Sequence, residues 1–131
     1  MKYLKQLDRS KLYYLASPYS HHNSLVRQIR YESIIYAASE LTKDGFRLIE
    51  PIGMCHQQSI QHKMPAGYEF WKTRDRGFID ICDAVILVAM KGWDESVGVL
   101  DEMEYAKSQG KEVIFLNCDD IFPEDAMRWT I

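Results

Sequence analysis

Two carboxylates lie where an amphipathic helix normally places small or apolar side chains. In "GWDESVGVLDEMEYAKSQGK", residues 92–111, Glu102 falls on the inward row with Gly98 and Ala106. In "YEFWKTRDRGFIDICD", residues 68–83, Asp75 falls on the inward row one turn after Trp71. Burying an isolated carboxylate costs several kcal/mol. Each is therefore expected to be paired, hydrogen-bonded or set in a wetted cleft.

A pair of such carboxylates is suited to glycosyl transfer. In that chemistry one carboxylate attacks or stabilises the anomeric carbon, and the other gives a proton to the leaving group. Both residues are predicted to belong to the starting turns of helices that begin at one edge of a sheet, so the fold can bring Asp75 and Glu102 together. The structural alternative is an ion pair of Asp75 with Arg74 or Arg76. For Glu102 it is a backbone contact near the helix start, where the charge suits the helix dipole.

Alternating strands and helices would position these carboxylates. The alternation predicts an α/β fold, a doubly wound, flavodoxin- or Rossmann-like parallel sheet of four to five strands with helices on both faces and right-handed crossovers. The run "AVILVA" is typical of a central strand covered on both faces. Apolar, β-branched runs place the strands at Leu12–Ala16, Phe46–Ile49, Ala84–Ala89 and Glu112–Leu116.

Helical spacing and turn residues complete the predicted order. A helix of roughly five turns follows the first strand and stops at Gly45. Its Arg27 and Arg30 are predicted to be solvated charges. A long loop is predicted from Pro51 to Pro65, and a short helix is predicted to begin at Pro123. The remaining helices are predicted at Tyr68–Cys82 and in the segment that ends at Gly110.

The segments after the strands are the places to look for ligand contacts, because doubly wound sheets bind ligands beyond the carboxyl ends of their strands. In "SPYSHH", Ser17 and Pro18 are predicted substrate contacts, and Tyr19 either lines a pocket or caps the next helix. For Ser20, capping is the favoured interpretation. His56, in the predicted loop after the second strand, either contacts substrate or is solvated.

Composition excludes several classes of protein. The chain has 131 residues, 47% of them hydrophobic, and a net charge of -3, which favours one domain spanning 1–131 and gives no basic stripe for nucleic acid. Cys55, Cys82 and Cys118 are odd in number and far apart, which fits a reducing cytoplasm rather than a disulfide framework. No signal-peptide or membrane-span pattern is present. No metal-ligand spacing is recognised, and neither metal nor cofactor is expected.

Three stretches carry a resemblance to a known family: "YYLASPYS", "RDRGFIDICDAVILV" and "SVGVLDEMEYAKSQGK". They resemble the nucleoside 2-deoxyribosyltransferase-like superfamily, which includes the 2'-deoxynucleoside 5'-phosphate N-hydrolases and a bacterial and phage branch. By position, Glu102 matches the family nucleophile, and Asp75 matches the aspartate that handles the proton at the base. Tyr14 matches a tyrosine that holds the nucleophile's carboxylate. Ser96 matches the serine that binds the 5' end of the nucleotide.

The physics of the segment agrees with an anion site at Ser96. A hydroxyl and free N–H groups at a helix start bind anions, and Gly98 would let a ligand approach closely. A plain N-cap explains Ser96 equally well. Trp93, in a longer loop than the family has, either stacks on a base or covers the core. The tail "FPEDAMRWTI" has no clear family match.

The resemblance implies cleavage or transfer of the N-glycosidic bond of a nucleoside or nucleotide through a glycosyl-enzyme ester on Glu102. It also implies a homo-oligomer, because relatives often complete the pocket from a neighbouring subunit. The main rival is a non-catalytic nucleotide-binding or sensing module in which the carboxylates grip ribose hydroxyls. A third hypothesis is that the protein is an interaction protein in which Asp75 and Glu102 have only a structural role.

Overall fold

Four parallel strands form one sheet: β1 (Leu12–Ala16), β2 (Arg47–Ile49), β3 (Ala84–Val88) and β4 (Glu112–Leu116). In this computed structural model, which describes residue 4 and residues 6–123, the strand order is β2-β1-β3-β4. The predicted parallel sheet is confirmed, with four strands. β1 and β4 have the predicted bounds, and β2 and β3 are each one residue shorter because Phe46 and Ala89 lie outside the ladders.

Helices cover both faces of this sheet, as predicted. They are α1 (Ser24–Lys43), α2 (Pro51–Gln61), α3 (Tyr68–Ile81) and α4 (Val97–Ser108). α1 packs on one face, where Leu15 and Ile86 meet its Ile34. α3 and α4 pack on the other face against Tyr14 and Val85. Successive strand residues point to opposite faces, so Tyr13 turns toward α1 and Tyr14 toward α3 and α4.

The predicted long loop from Pro51 to Pro65 is wrong over most of its length, because residues 51–61 form α2. The carboxylate of Glu50 accepts hydrogen bonds from the N–H groups of Ile52 and Gly53, and Pro51 occupies the first helical turn. The buried side of α2 carries Cys55 and His56. Apolar periodicity does not indicate this helix, because the polar His56 occupies part of its buried side.

Arg27 and Arg30 of α1 are not solvated charges, contrary to the prediction. Both are half-buried. Arg27 donates a hydrogen bond to the His21 carbonyl at 2.5 Å, and Arg30 donates one to the Ser20 carbonyl at 2.9 Å. The two arginines therefore hold the loop between β1 and α1 in place.

The ends of the helices follow local chemistry. Asn23, not Ser20, caps α1, because its side chain accepts a hydrogen bond from the Leu25 N–H at 2.8 Å. Gly45, with φ of 93°, follows the end of α1 as predicted. The helix predicted to begin at Pro123 would occupy residues that lie outside the described part of the chain. No described helix has the length and apolar character needed to span a bilayer.

Candidate active site

A narrow cavity, partly open to solvent, lies at the carboxyl ends of β1 and β3. In the sheet, β2 lies on one side of β1 and β3 lies on the other side of β1. The cavity therefore occupies the point where the direction of winding reverses, which is the usual ligand site of such sheets. Its walls come from the end of β1, from α2 and α3, and from the start of α4. The polar side chains that line it are Tyr14, Ser17, Tyr19, Ser20, Cys55, Tyr68, Arg74, Asp75, Ser96 and Glu102.

Glu102 lies on the buried face of α4 and lines the cavity with 6% of its surface exposed. It shares that face with Val99 and Ala106, as the helical spacing predicts. Its partner is Tyr14 of β1, whose hydroxyl donates a hydrogen bond to Glu102 Oε2 at 2.5 Å. The side chain of Glu102 is thus fixed against the sheet, with no arginine or lysine paired to it among the described residues.

Asp75 occupies the inward row of α3 between Trp71 and Ile79 and is also 6% exposed. It lies in the middle of α3 rather than in the starting turn that the sequence suggested. Arg74 Nη2 lies 2.9 Å from Asp75 Oδ1, and Arg74 Nε donates to the same oxygen at 3.0 Å. The ion pair considered as a structural alternative is therefore present, yet Asp75 still lines the cavity.

The two carboxyl groups meet inside the cavity. Asp75 and Glu102 are close enough for one to donate a hydrogen bond to the other when either is protonated. Burial raises the pKa of Glu102 well above its ordinary 4.5, the Tyr14 hydrogen bond opposes the rise, and the neighbouring Asp75 charge adds to it. Burial also raises the pKa of Asp75, and the Arg74 guanidinium opposes that rise. The surroundings of the pair thus disfavour ionisation of both carboxyl groups at the same time.

Ser96 and Gly98 line the α4 side of the cavity. Ser96 is the N-cap of α4, and its hydroxyl accepts a hydrogen bond from the Val99 N–H at 3.2 Å. The close approach at Gly98 is made by the ring of Tyr68, since a Cβ there would lie 3.0 Å from Tyr68 Cδ1. The N-cap role of Ser96 and its place on the cavity wall therefore coexist.

The other predicted contacts divide into two groups. Ser17 and Tyr19 line the cavity, whereas Pro18 is buried without lining it. Trp93 also lies outside the lining. Its ring packs edge-on against Phe115 with centroids 5.2 Å apart and adjoins the core on the α3 and α4 side. The structure thus places Trp93 over the core.

His56 is neither a loop residue nor solvated, which corrects both parts of that prediction. It lies on α2 and is 5% exposed. Its Nε2 is 2.9 Å from Gln28 Oε1, its Nδ1 is 2.7 Å from the Tyr19 hydroxyl, and its ring stacks on Tyr31. Because Gln28 Oε1 can only accept, Nε2 carries the proton and Nδ1 accepts from Tyr19. Burial lowers the pKa of His56, so it stays neutral and positions Tyr19.

Several residues of the cavity were not predicted to belong to it, among them Tyr68, Arg74 and Ser20. Tyr68 and Arg74 line it, although Arg74 was considered only as a partner of Asp75. Ser20 lines it too, and its hydroxyl donates to the Ala66 carbonyl at 3.2 Å instead of capping α1. A start signal for α2 was readable in the sequence, because an acidic N-cap followed by proline is typical of a helix N-terminus. No sequence signal indicated Tyr68.

Within the described residues, no three His, Cys, Asp or Glu side chains cluster in a way that could hold a metal ion. Among the described residues, Arg74 is ion-paired to Asp75 and the Tyr14 hydroxyl donates a hydrogen bond to Glu102. The arrangement is therefore suited to proton transfer and nucleophilic attack by the protein's own side chains.

Comparison with known proteins shows which family the chain belongs to. No curated protein matches the chain. One family description, "Domain of unknown function (DUF1937)", matches residues 11–118. The match contains all four strands together with Tyr14, Asp75 and Glu102. The chain therefore belongs to the DUF1937 family.

Proposed function

We propose that the protein cleaves or transfers the N-glycosidic bond of a (deoxy)nucleoside or nucleotide in this cavity. The observation that carries the proposal is the pair of buried carboxyl groups, Asp75 and Glu102, which meet in the cavity and have raised pKa values. Glycosyl transfer requires one ionised carboxylate and one protonated group at the same time. The pair supplies both in the form in which Glu102 is ionised and Asp75 carries the proton.

In the proposed reaction, an oxygen of Glu102 attacks C1' of the sugar. The bond between C1' and the base nitrogen breaks, its electron pair stays on the base, and Asp75 gives that base a proton. The product is a glycosyl ester on Glu102. Water or a second base then attacks C1', and the Glu102 carboxylate departs. A proton from the attacking group restores Asp75.

The close approach of the two carboxyl groups favours this covalent route over direct attack by water. Enzymes that place a water between the two groups hold them about 6.5–9.5 Å apart, whereas enzymes with a carboxylate nucleophile hold them about 5–5.5 Å apart. Asp75 and Glu102 are near enough to interact directly, which is closer to the second spacing than to the first.

Tyr14 supports Glu102 as the nucleophile. Its hydrogen bond to Oε2 lowers the pKa of Glu102 and so stabilises the ionised form that attacks. Ser96 and the first turn of α4 offer a hydroxyl and N–H groups for the 5' end of a nucleotide. The resemblance to deoxyribosyltransferase-like enzymes points to the same roles, and it makes a homo-oligomer an expected state.

A second candidate is a nucleotide-binding or sensing module without turnover. The Arg74–Asp75 ion pair favours it, because the guanidinium opposes protonation of Asp75. An ionised Asp75 is a poor proton donor but accepts hydrogen bonds from ribose hydroxyls well. This candidate predicts ligand binding in the same cavity and no release of base.

A panel of nucleosides and nucleotides with the wild type and Glu102→Ala separates the candidates. Release or exchange of free base that disappears in Glu102→Ala supports the glycosidic reaction. Thermal stabilisation without base release supports the binding module. Glu104→Ala is the matched control, because Glu104 is exposed and lies on the same helix outside the cavity. Unchanged base release in a folded Glu102→Ala protein would contradict the assignment.

A further inference from the structure

Two buried donors in the cavity have no hydrogen-bond partner in the part of the chain that the structure describes. The Ser17 hydroxyl and Nη1 of Arg74 are buried and make no hydrogen bond among the described residues. Ser17 is 5% exposed, and both residues line the cavity that holds the carboxyl pair. Leaving a buried donor unpaired costs stability, so native proteins rarely do so without a reason. A ligand that supplies acceptors would satisfy both groups.

Arg74 cannot turn to satisfy Nη1 within the protein. Its Nε and Nη2 are held by Asp75, and Nη2 also donates to the Pro51 carbonyl at 3.2 Å. Its guanidinium lies 4.4 Å from the ring centroid of Trp71 and 5.5 Å from that of Phe78. Since the guanidinium is planar and held on two sides, the direction of Nη1 is fixed.

The position of Arg74 indicates which part of a ligand it meets. Arg74, Pro51, Ile52 and Cys55 line the part of the cavity beside α2, and Ser96 lines the part beside α4. α2 follows β2 and α4 follows β3, and these two strands flank β1, so the two helices begin on different sides of the end of β1. Under the proposed function, the 5' end of the nucleotide lies toward Ser96 and the sugar lies across the carboxyl pair. The leaving base then lies against the α2 side. This wall is apolar except for the donor at its edge, which fits a flat heterocycle with an acceptor on its rim.

The charge at this edge favours a neutral acceptor over an anion. Asp75 already neutralises Arg74 through two contacts to Oδ1. Arginine has donors only, so an amino group facing Nη1 would place donor against donor. A ring carbonyl satisfies it, and the Ser17 hydroxyl can donate to a second acceptor.

We infer that Ser17 and Arg74 form a recognition edge for a nucleobase that carries a ring carbonyl, in preference to one with an amino group at that position. This inference rests on the proposed function, since the base is placed by the carboxyl pair. Hypoxanthine and adenine are the suitable probes, because they share one ring system and differ in an oxo or amino group. The 5'-monophosphates of deoxyinosine and deoxyadenosine carry them as substrates.

The experiment compares kcat/KM for the two nucleotides in the wild type, Ser17→Ala and Arg74→Lys. We expect the wild type to favour deoxyinosine monophosphate by at least about tenfold, and both variants to lose most of that ratio. Ser17→Ala removes an unpaired hydroxyl, so we expect it to fold with wild-type stability or better. Arg74→Lys also disturbs Asp75, and the two bases can differ in how much they need its proton, so for this variant the ratio of the two Kd values is the deciding measurement.

Two matched controls should keep the wild-type ratio. Ser33 is a buried serine whose hydroxyl is satisfied by the Ile29 carbonyl at 2.8 Å, so Ser33→Ala tests loss of a paired hydroxyl. Arg76 is ion-paired to Asp101 outside the cavity, so Arg76→Lys tests loss of an uninvolved guanidinium. A ratio unchanged in both Ser17→Ala and Arg74→Lys, or a wild type that favours adenine, would overturn the inference.

Calorimetry with the same two nucleotides and Glu102→Ala separates this inference from the proposed function. If no base is released from either nucleotide, the proposed reaction fails. The recognition edge is then judged by the ratio of the two Kd values. Tighter binding of the oxo base, lost in Ser17→Ala and Arg74→Lys, supports the edge. Equal binding of the two nucleotides, or no binding of either, refutes it.

Discussion

Tyr14 of β1 and Glu102 of α4 are 88 residues apart in the sequence and are joined by a buried hydrogen bond of 2.5 Å. The strand turns Tyr14 toward the helix because alternate residues of β1 face opposite sides of the sheet. The bond fixes the carboxyl group that we propose as the nucleophile. It also lowers the pKa of that group against the effect of burial.

Replacing Tyr14 with phenylalanine should slow the reaction while preserving the fold. Loss of the hydrogen bond raises the pKa of Glu102 further, so fewer molecules hold Glu102 ionised at neutral pH. Hydrogen bonds to charged groups are worth about 1.5–3 kcal/mol, which predicts a fall in kcat of about 10- to 100-fold. The rising limb of the pH profile should move to higher pH.

Tyr13→Phe is the control for this change. Tyr13 is equally buried, but its hydroxyl donates to the Asp8 carbonyl at 2.9 Å on the other face of the sheet. Its loss should leave the pH profile in place. A Tyr14→Phe enzyme with an unshifted profile would contradict the role assigned to Tyr14.

Glu102→Gln should remove activity and increase stability at neutral pH. Burial raises the pKa of Glu102 above 4.5, so above that pH the folded protein keeps a proton that the unfolded chain releases. The free energy of unfolding of the wild type therefore falls as the pH rises through this window, by at most about 1.4 kcal/mol per pH unit. Glutamine does not ionise, so the free energy of unfolding of Glu102→Gln does not fall in this way.

Urea unfolding at several pH values measures that difference. Glu102→Gln should be more stable than the wild type at about pH 8, and the gap should close as the pH approaches about 4.5. Glu104→Gln, at an exposed position, should follow the wild type. A gap that is constant with pH would mean that folding leaves the pKa of Glu102 near its ordinary value.

Asp75→Asn should lower kcat by about 10²- to 10⁴-fold, which is the usual worth of general acid catalysis. A base that is already cationic, as in 7-methyl-2'-deoxyguanosine, needs no proton when it leaves. The loss on that substrate should be much smaller. Asp80→Asn, on the exposed face of the same helix, should keep wild-type rates on both substrates. Equal losses on the neutral and the cationic base would assign Asp75 a purely structural role.

Gly98→Ala should destabilise the protein and weaken substrate binding. The added Cβ would lie 3.0 Å from Cδ1 of Tyr68, whose hydroxyl donates to Asp101 at 2.7 Å and resists displacement. Overpacking of this kind costs about 1–3 kcal/mol. A Cβ added at Gly77, inside α3, would have no atom within 4 Å. Gly77→Ala should therefore stabilise the protein by about 0.5–1 kcal/mol. Thermal unfolding of the two variants should move in opposite directions.

The inward position of both carboxylates could be predicted from the sequence, because the face that a helical residue occupies depends only on its spacing from neighbouring residues. The spacing of Asp75 after Trp71, and of Glu102 between Gly98 and Ala106, places both carboxylates on inward faces without knowledge of the rest of the chain. The parallel sheet followed similarly from alternation of short apolar runs with helical segments, whereas the strand order did not.

Tertiary contacts set the parts that the sequence did not predict. The lack of a partner for Nη1 of Arg74 among the described residues results from how α2 and two aromatic rings hold the guanidinium. The position of Tyr68 over Gly98 depends on the packing of α3 against α4. His56 was misassigned because its helix carries polar residues on its buried side, where they are satisfied by Tyr19 and Gln28.

Mass spectrometry of the trapped intermediate tests the central claim most directly. The wild type would be quenched in acid while it turns over a 2'-fluoro-2'-deoxynucleotide, whose fluorine slows both formation and hydrolysis of the ester, and then digested. We predict a mass increase equal to one glycosyl residue on the peptide that contains Glu102, absent from Glu102→Ala and present in Glu104→Ala. Base release without any adduct, or an adduct on another residue, would contradict the account.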